Sequence, residues 1–398
     1  MLARVIRCFF IILISIAILL TTLVGKLAAQ SFFKHPGILV SIEQLDYVKQ
    51  RITAGEEPWS SVFDVVKQDS LAKLDYQPDP WFAVNCGSYS RPNWGCSDEI
   101  KDARAAYTQA LLWYYSGDKV YAENAINIIN AWSYNFTGGH SGANEVLQAS
   151  WAGALWPRAA EIIRHTYDGW KNKDVQQFEN MLRMQYLPSV TKSIVCYHGN
   201  WLAASIEARA NIAIFLEDIK LYRKAIRMWR ESVPAYIYLE SDGILPRQLP
   251  GCWRNKQKLI AYWQGQRTFV NGLTQETCRD LEHMAYALAG FINVAETAYI
   301  QGLDLYGEQE ERFTSVMEFH TKYKNKGSIP HYICNREFKL DMKGTLEIAY
   351  NHYAVRRSNR KDLPHTWQWL SERWPAKGHF HYVWEILTHG NIGNAGID

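Results

Sequence analysis

The chain has 398 residues, 47% of them hydrophobic and 14% aromatic, enough to bury one large core or two modest ones and too apolar for a disordered polymer. Its formal charge of +3 comes from the first 30 residues, which carry Arg4, Arg7 and Lys26; the remainder sets 40 basic residues against 40 acidic ones. The basicity therefore belongs to that segment and argues nothing for nucleic acid, and no nucleic-acid partner is expected. Sixteen Trp and 23 Tyr supply rings that fill cores and also line grooves that bind sugars.

At the N-terminus, Arg4 and Arg7 precede an apolar run from Cys8 to Val24, with Ala28 and Ala29 behind it. This is the layout of a secretory signal peptide over residues 1–30, cleaved near Ala29 or Gln30, although the run is long enough for an uncleaved anchor. The expectation is a secreted or periplasmic protein without stable membrane insertion after cleavage. Beyond the segment lie Cys86, Cys96, Cys196, Cys252, Cys278 and Cys334. In an oxidising compartment, Cys86 and Cys96, which flank the turn-rich loop CGSYSRPNWGC, are expected to form a disulfide. CxxC and HExxH are both absent, so no metal or other cofactor is expected, while His379 and His381 keep a metal from being excluded.

Helical periodicity dominates the rest. Residues 98–134 read as two antiparallel helices, with Ser97 or Asp98 capping the first and Ser116-Gly117-Asp118 as the turn. Similar patterns recur at 144–168, 172–188, 200–215, 218–235, 276–304, 306–322 and 344–358. Strand-like alternation is confined to 378–389, and 240–275 reads as a long irregular loop. Paired helices joined by short turns, without a fixed repeat length, predict an all-α toroid or solenoid, read as a single α/α-barrel domain over 35–398.

Two stretches hold polar residues that the packing does not require. In TCRDLEHMAYALAG, residues 277–290, Arg279, His283 and Tyr286 fall at positions 0, +4 and +7, one face of a helix. Met284, Ala285, Ala287, Leu288 and Ala289 surround them, so the face is either a solvated stripe or the lining of a site. In CYHGNWLAASIEARANIAIFLED, residues 196–218, His198 and Asn200 sit on a glycine-containing turn before an apolar helix. Asn200 could simply cap that helix; no capping rule requires His198.

Together with SYSRPNWGCSDEIKDARAAYTQALLWYYSGDKVYAENAINIINAWS, NEVLQASWAGALWPRAAEII, QGLDLYG and LEIAYNHY, these motifs resemble the alginate lyase superfamily of polysaccharide lyases. The GNW and RDxxH motifs followed by QGLDLYG are most similar to polysaccharide lyase family 38. The resemblance implies an incomplete (α/α) barrel and β-elimination on uronic-acid polymers such as alginate, polymannuronate or glucuronan. Other alginate lyases of the superfamily carry Asn-His-Ser-Tyr-Trp at one helix start and Arg-(six residues)-Tyr at another. His198 matches the histidine, Tyr197 stands where asparagine is expected, and Arg279 and Tyr286 reproduce the second spacing; Asn200 takes the asparagine's role from a neighbouring position. His283 belongs to RDxxH and either replaces or shares the work of His198.

Elimination requires removal of a C5 proton made weakly acidic by the anionic carboxylate beside it. The site must neutralise that carboxylate, take the proton, and protonate the leaving oxygen. The resemblance gives Tyr286 as acid, His198 or His283 as base, and Arg279 and Asn200 on the carboxylate or the tyrosine. Substrate-binding candidates are Tyr89, Ser90, Arg91 and Asn93 in the stapled loop, Asn144 and Gln148, Trp201, Arg247, and His352 in AYNHYAVRR; each is also explained by a loop, cap or bracing role. The partner implied is an anionic polysaccharide. Two rivals are a glycoside hydrolase of helical-barrel fold, which needs two carboxylates across a groove, and a non-catalytic glycan-binding protein. For the hydrolase, Glu276, Asp280 and Glu282 are candidates, yet on a regular helix Asp280 and Glu282 cannot share the face of Arg279 and His283.

Overall fold

Two kinds of helix alternate along the chain, one buried on all sides and one apolar on a single face. A computed structural model describes residues 31–252, 255–342, 346–372, 380–381 and 383–392. The expected signal peptide and His379 lie outside the described residues. In chain order the elements are α1 (Ile42–Thr53), α2 (Trp59–Gln68), β1 (Val84–Cys86), β2 (Asn93–Trp94), α3 (Cys96–Ser116), α4 (Lys119–Asn135), β3 (His140–Ser141), α5 (Glu145–Thr166), α6 (Asn172–Met181) and α7 (Leu187–Val190). There follow α8 (Gly199–Phe215), α9 (Ile219–Tyr236), α10 (Lys256–Tyr262), α11 (Leu281–Ile300), α12 (Leu305–Glu308), α13 (Glu310–Lys326), α14 (Glu347–Tyr350), α15 (Pro364–Ser371) and α16 (Glu385–His389).

In α5 every residue from Val146 to Ile163 is buried, in α8 every residue except Trp201, and in α11 every residue from Met284 to Ala298. Such helices can only stand inside a core. They form a row in which α3 packs on α5, α5 on α8 and α8 on α11. The outer partners are one-sided: α9 buries Tyr222, Ala225, Ile226, Trp229 and Val233, and α4 buries Ala122, Ala125, Ile128, Ile129 and Trp132. Inner row and outer partners make an incomplete (α/α) toroid. Small residues let the inner helices approach closely: a Cβ on Gly290 of α11 would sit 2.9 Å from the Ala203 carbonyl carbon of α8. Among the described residues no helix is long and apolar enough to cross a membrane.

Local starts and stops differ from expectation where backbone or covalent constraints intervene. Helix α3 begins at Cys96 behind Gly95 (φ 78°) and has no side-chain cap from Ser97 or Asp98; instead the Asn93 carboxamide accepts from Ser97 N at 3.1 Å and donates to Ser97 Oγ at 2.8 Å. The turn at 116–118 ends α3 on left-handed Gly117, and the Asp118 side chain caps α4. Residues 385–389 are helical, correcting the strand-like reading of that stretch. Among the described residues the strands form a three-stranded patch, with β1 antiparallel to β2 and parallel to β3. Disulfides join Cys86 to Cys96, Cys196 to Cys252 and Cys278 to Cys334.

Candidate active site

Helices α8 and α11 begin side by side, and the turns before them carry most of the polar groups singled out in the sequence. Gly199 opens α8 where the Tyr236 ring leaves no room for a side chain: a Cβ there would lie 2.1 Å from a ring carbon. Asp280 is the N-cap of α11, in extended backbone conformation, and accepts from His283 N at 2.8 Å. The helix expected over 276–304 therefore starts five residues late. Arg279 lies in the preceding turn and not on the helix face of His283 and Tyr286, and Asp280, freed from the helical wheel, does share the side of His283.

Glu276 is the hub of that turn. Fully buried, it accepts from Asn200 N at 2.9 Å, Asn200 Nδ2 at 2.5 Å, Arg279 Nη1 at 2.9 Å and Tyr236 Oη at 3.3 Å. Burial raises its pKa, opposed by Arg279, His283 and Asn200. Asn200 is thus inside α8, not at its cap: the cap position is His198, and the Asn200 amide ties the start of α8 to the turn before α11.

Two further carboxylates each hold a side chain singled out in the sequence. Asp280 takes His283 Nδ1 at 2.7 and 2.8 Å. Burial works against its ionisation, but the bonds from His283 and the charge of Arg279 outweigh burial and keep its pKa below the usual value. Glu282 accepts from Tyr286 Oη at 2.8 Å. The His283 and Tyr286 rings stand edge to face, 5.7 Å between centroids, and Trp151 of α5 and Phe380 pack on Tyr286.

The two histidines are held in opposite tautomers. Gln275 Oε1 accepts from Gly199 N at 3.1 Å, which orients its amide so that Nε2 faces the Tyr262 carbonyl at 2.5 Å and His198 Nδ1 at 3.2 Å. An N–H pointed at Nδ1 makes that nitrogen the acceptor and leaves the hydrogen of neutral His198 on Nε2. His283 is the reverse: its Nδ1–H donates to Asp280, and Nε2 keeps the lone pair. Burial first, then Arg279 and His283, push the His198 pKa down to about 4, so it is neutral at neutral pH.

A family model for alginate lyase matches residues 96–329, more than half of the chain and both helix starts. The chain belongs to the alginate lyase family. It is, accordingly, a polysaccharide lyase. Its fold is similar to that of alginate lyase A1-III from Sphingomonas species A1, with TM-score 0.58 at 13% identity, covering 81% of this chain and 90% of that one. A histidine-to-alanine variant of alginate lyase A1-III complexed with a tetrasaccharide gives 0.57 at 16%, covering 81% and 88%. A tyrosine-to-phenylalanine variant, also with a tetrasaccharide, gives 0.52 at 15%, covering 73% and 78%. Likeness at such identities is one of fold. A comparison with curated proteins finds no match.

In this alginate lyase family member the other candidate residues divide by position. Tyr89, Ser90, Arg91 and Asn93 are exposed on the loop closed by Cys86 and Cys96. That loop borders the start of α5, since Asn144 N donates to Cys86 O at 2.8 Å. Asn93 is engaged with Ser97, as described. Asn144 precedes α5 without capping it. Gln148 is buried and donates to Cys96 O and to Glu99, a bracing role. Trp201 is half-buried beside exposed Tyr197, with ring centroids 5.2 Å apart. Arg247 pairs with Asp242, which Arg312 also holds. His352 stacks on Tyr306 and contacts Arg356, which pairs with Glu296. Glu296 lies 13 residues along α11 from His283, about 20 Å, so His352 is not part of the cluster. Burial and then Arg356 lower its pKa to about 3. The sequence reading missed Gln275 altogether and saw Glu276, Asp280 and Glu282 only as hydrolase carboxylates.

Proposed function

We propose that this lyase depolymerises alginate by β-elimination, with His283 as base and Tyr286 as acid. The carrying observation is the Asp280–His283–Tyr286 arrangement: a carboxylate holds one imidazole through Nδ1, which leaves the lone pair of the neutral ring on Nε2, and a phenol stands edge-on beside it. In the reaction, His283 Nε2 takes the C5 proton, the electron pair forms the C4–C5 double bond, and the C4–O bond breaks as Tyr286 supplies a proton to the leaving oxygen. Asp280 holds the tautomer and stabilises the imidazolium; Glu282 holds the phenol. Arg279 and the Nε2–H of His198 neutralise the uronate carboxylate, helped by the positive ends of α8 and α11. Asn200 and Glu276 position Arg279 from behind.

An acid and a base on adjacent rings act from one side of the sugar. That favours syn elimination, the geometry of mannuronate and glucuronate, in which the C5 hydrogen and C4 oxygen lie on the same side. Mannuronate blocks of alginate are the first choice of substrate and glucuronan the second, with exposed Tyr197 and half-buried Trp201 as a stacking surface. Three disulfides suit an oxidising compartment, in keeping with export directed by residues 1–30. The test is the ultraviolet absorbance of unsaturated products on polymannuronate, polyguluronate, glucuronan and polygalacturonate. A rise on the first and little on polyguluronate is expected, and no rise on any polymer would overturn the proposal.

A further inference from the structure

Two helical turns along from each of three residues named above stands a buried polar side chain: Arg158 beyond Trp151 on α5, Glu207 beyond Asn200 on α8, and Asn293 beyond Tyr286 on α11. They meet at Glu207, whose Oε1 accepts from Arg158 Nη2 and, at 3.0 Å, from Asn293 Nδ2. This polar layer also grips a residue near the end of the chain. His381, fully buried, donates from Nδ1 to Glu207 Oε2, and its carbonyl accepts from Arg158 Nη1 at 2.8 Å. Burial first, then the Arg158 charge, push the His381 pKa down to about 3, so the ring is a neutral donor at neutral pH.

The anchorage of His381 aims the residue before it. Phe380 takes φ 44°, a left-handed backbone that a bulky side chain rarely adopts and that its surroundings must impose. Its ring stacks on Trp151 with 3.9 Å between centroids and 13° between planes, and meets the Tyr286 ring edge to face at 5.1 Å and 82°. Trp151 meets Tyr286 at 5.9 Å and 71°, and the His283 ring at 5.7 Å. Of these three rings against the phenol, Phe380 alone comes from outside the inner helices.

We propose that Phe380 is a positioning residue for the elimination: with His381 fixed in the polar layer, the Phe380 ring holds the Tyr286 phenol in the orientation from which it protonates the leaving oxygen. The proposal rests on the reading of Tyr286 as acid. A phenol free to shift by about 1 Å loses about 100-fold in rate. The loss falls on kcat and not on KM, because the proton reaches the leaving oxygen only in the transition state.

The test is a double-mutant cycle, read as product absorbance on the polymer that the wild type cleaves fastest. Phe380→Ala should lower kcat about 10- to 100-fold with KM within about twofold, and Phe380→Tyr, which keeps a ring, should restore most of that loss. In a Tyr286→Phe background, whose residual rate is read over long incubation, Phe380→Ala should cost less than about threefold, because its effect passes through the phenol. Wild-type kcat in Phe380→Ala, a change confined to KM, or an undiminished loss in the Tyr286→Phe background overturns the proposal. If Phe380→Ala does not fold by circular dichroism, Phe380→Leu takes its place in the cycle. Tyr286→Phe at the wild-type rate would remove the acid reading and this proposal with it, whereas a crippled Tyr286→Phe beside an unimpaired Phe380→Ala removes the proposal alone.

Discussion

Replacing Asp280 by Asn isolates the part of the mechanism that rests on tautomer. The carboxylate makes two contacts that differ in chemistry: it caps α11 by accepting His283 N at 2.8 Å, and it holds His283 Nδ1 at 2.7 and 2.8 Å. Asparagine caps a helix about as well as aspartate, so the cap survives. Its NH2, however, turns toward Nδ1, makes that nitrogen an acceptor, and places the imidazole hydrogen on Nε2, where the lone pair is needed. Losing a positioned general base costs about 10²–10⁴ in rate, or about 2.7–5.5 kcal/mol at about 1.36 kcal/mol per decade. The assay is the initial rate of product absorbance on polymannuronate, with kcat expected to fall by that factor and KM to change little. Because the folded Asp280 pKa lies below its unfolded value, Asp280 contributes stability above the ordinary aspartate pKa that is lost as pH falls through the folded one. The variant should thus melt lower than wild type at neutral pH and converge with it in acid. A variant within threefold of wild-type kcat would refute the assignment of His283.

His198, with its pKa pushed down to about 4, stays neutral above pH ~5; His198→Gln should raise KM about tenfold and leave the acid limb of kcat/KM in place, and a displaced limb would make His198 the titrating base instead. Glu276→Leu strands the Asn200 amide and Arg279 and should cost about 3–5 kcal/mol in urea unfolding, with Glu276→Gln milder; equal stability of the Leu variant would deny Glu276 its hub role. Removing the Cys278–Cys334 bridge, which closes a sequence separation of 56, by a double serine variant should lower unfolding free energy by about 4 kcal/mol. It should also raise KM, because the bridge adjoins Arg279; unchanged KM would mean the turn is held by Glu276 alone.

How far the sequence disclosed this arrangement depends on the range of each interaction. The inner helices α5, α8 and α11 were legible because almost every position in them is apolar or small, and the turn at Gly117 because glycine and aspartate there each answer a local need. The interval from Arg279 to Tyr286 was also visible, but on the premise of one helix face. Asp280 already stood before an apolar run as a cap signal, and reading it would have put Arg279 off the helix. Glu276 was opaque: its partner Asn200 is 76 residues away, and nothing local says that the carboxylate is buried. The bridges to Cys196 and Cys278 were equally hidden, since connectivity does not follow from spacing.

The disposition of the acids argues for elimination over hydrolysis. A helical-barrel hydrolase needs two carboxylates facing the glycosidic bond, one to protonate and one to activate water or attack. Here Glu276 is buried under Asn200 and Arg279, Asp280 is bound to His283, and Glu282 is bound to Tyr286. Each acid is thus engaged by a side chain of another kind: a cation, an imidazole and a phenol. For an anionic polymer that exchange is favourable, because bare carboxylates would repel the substrate whereas a guanidinium, an imidazole N–H and two helix starts attract it. On the proposed mechanism, the same acids that made a hydrolase conceivable in the sequence orient the groups that elimination on a uronate requires.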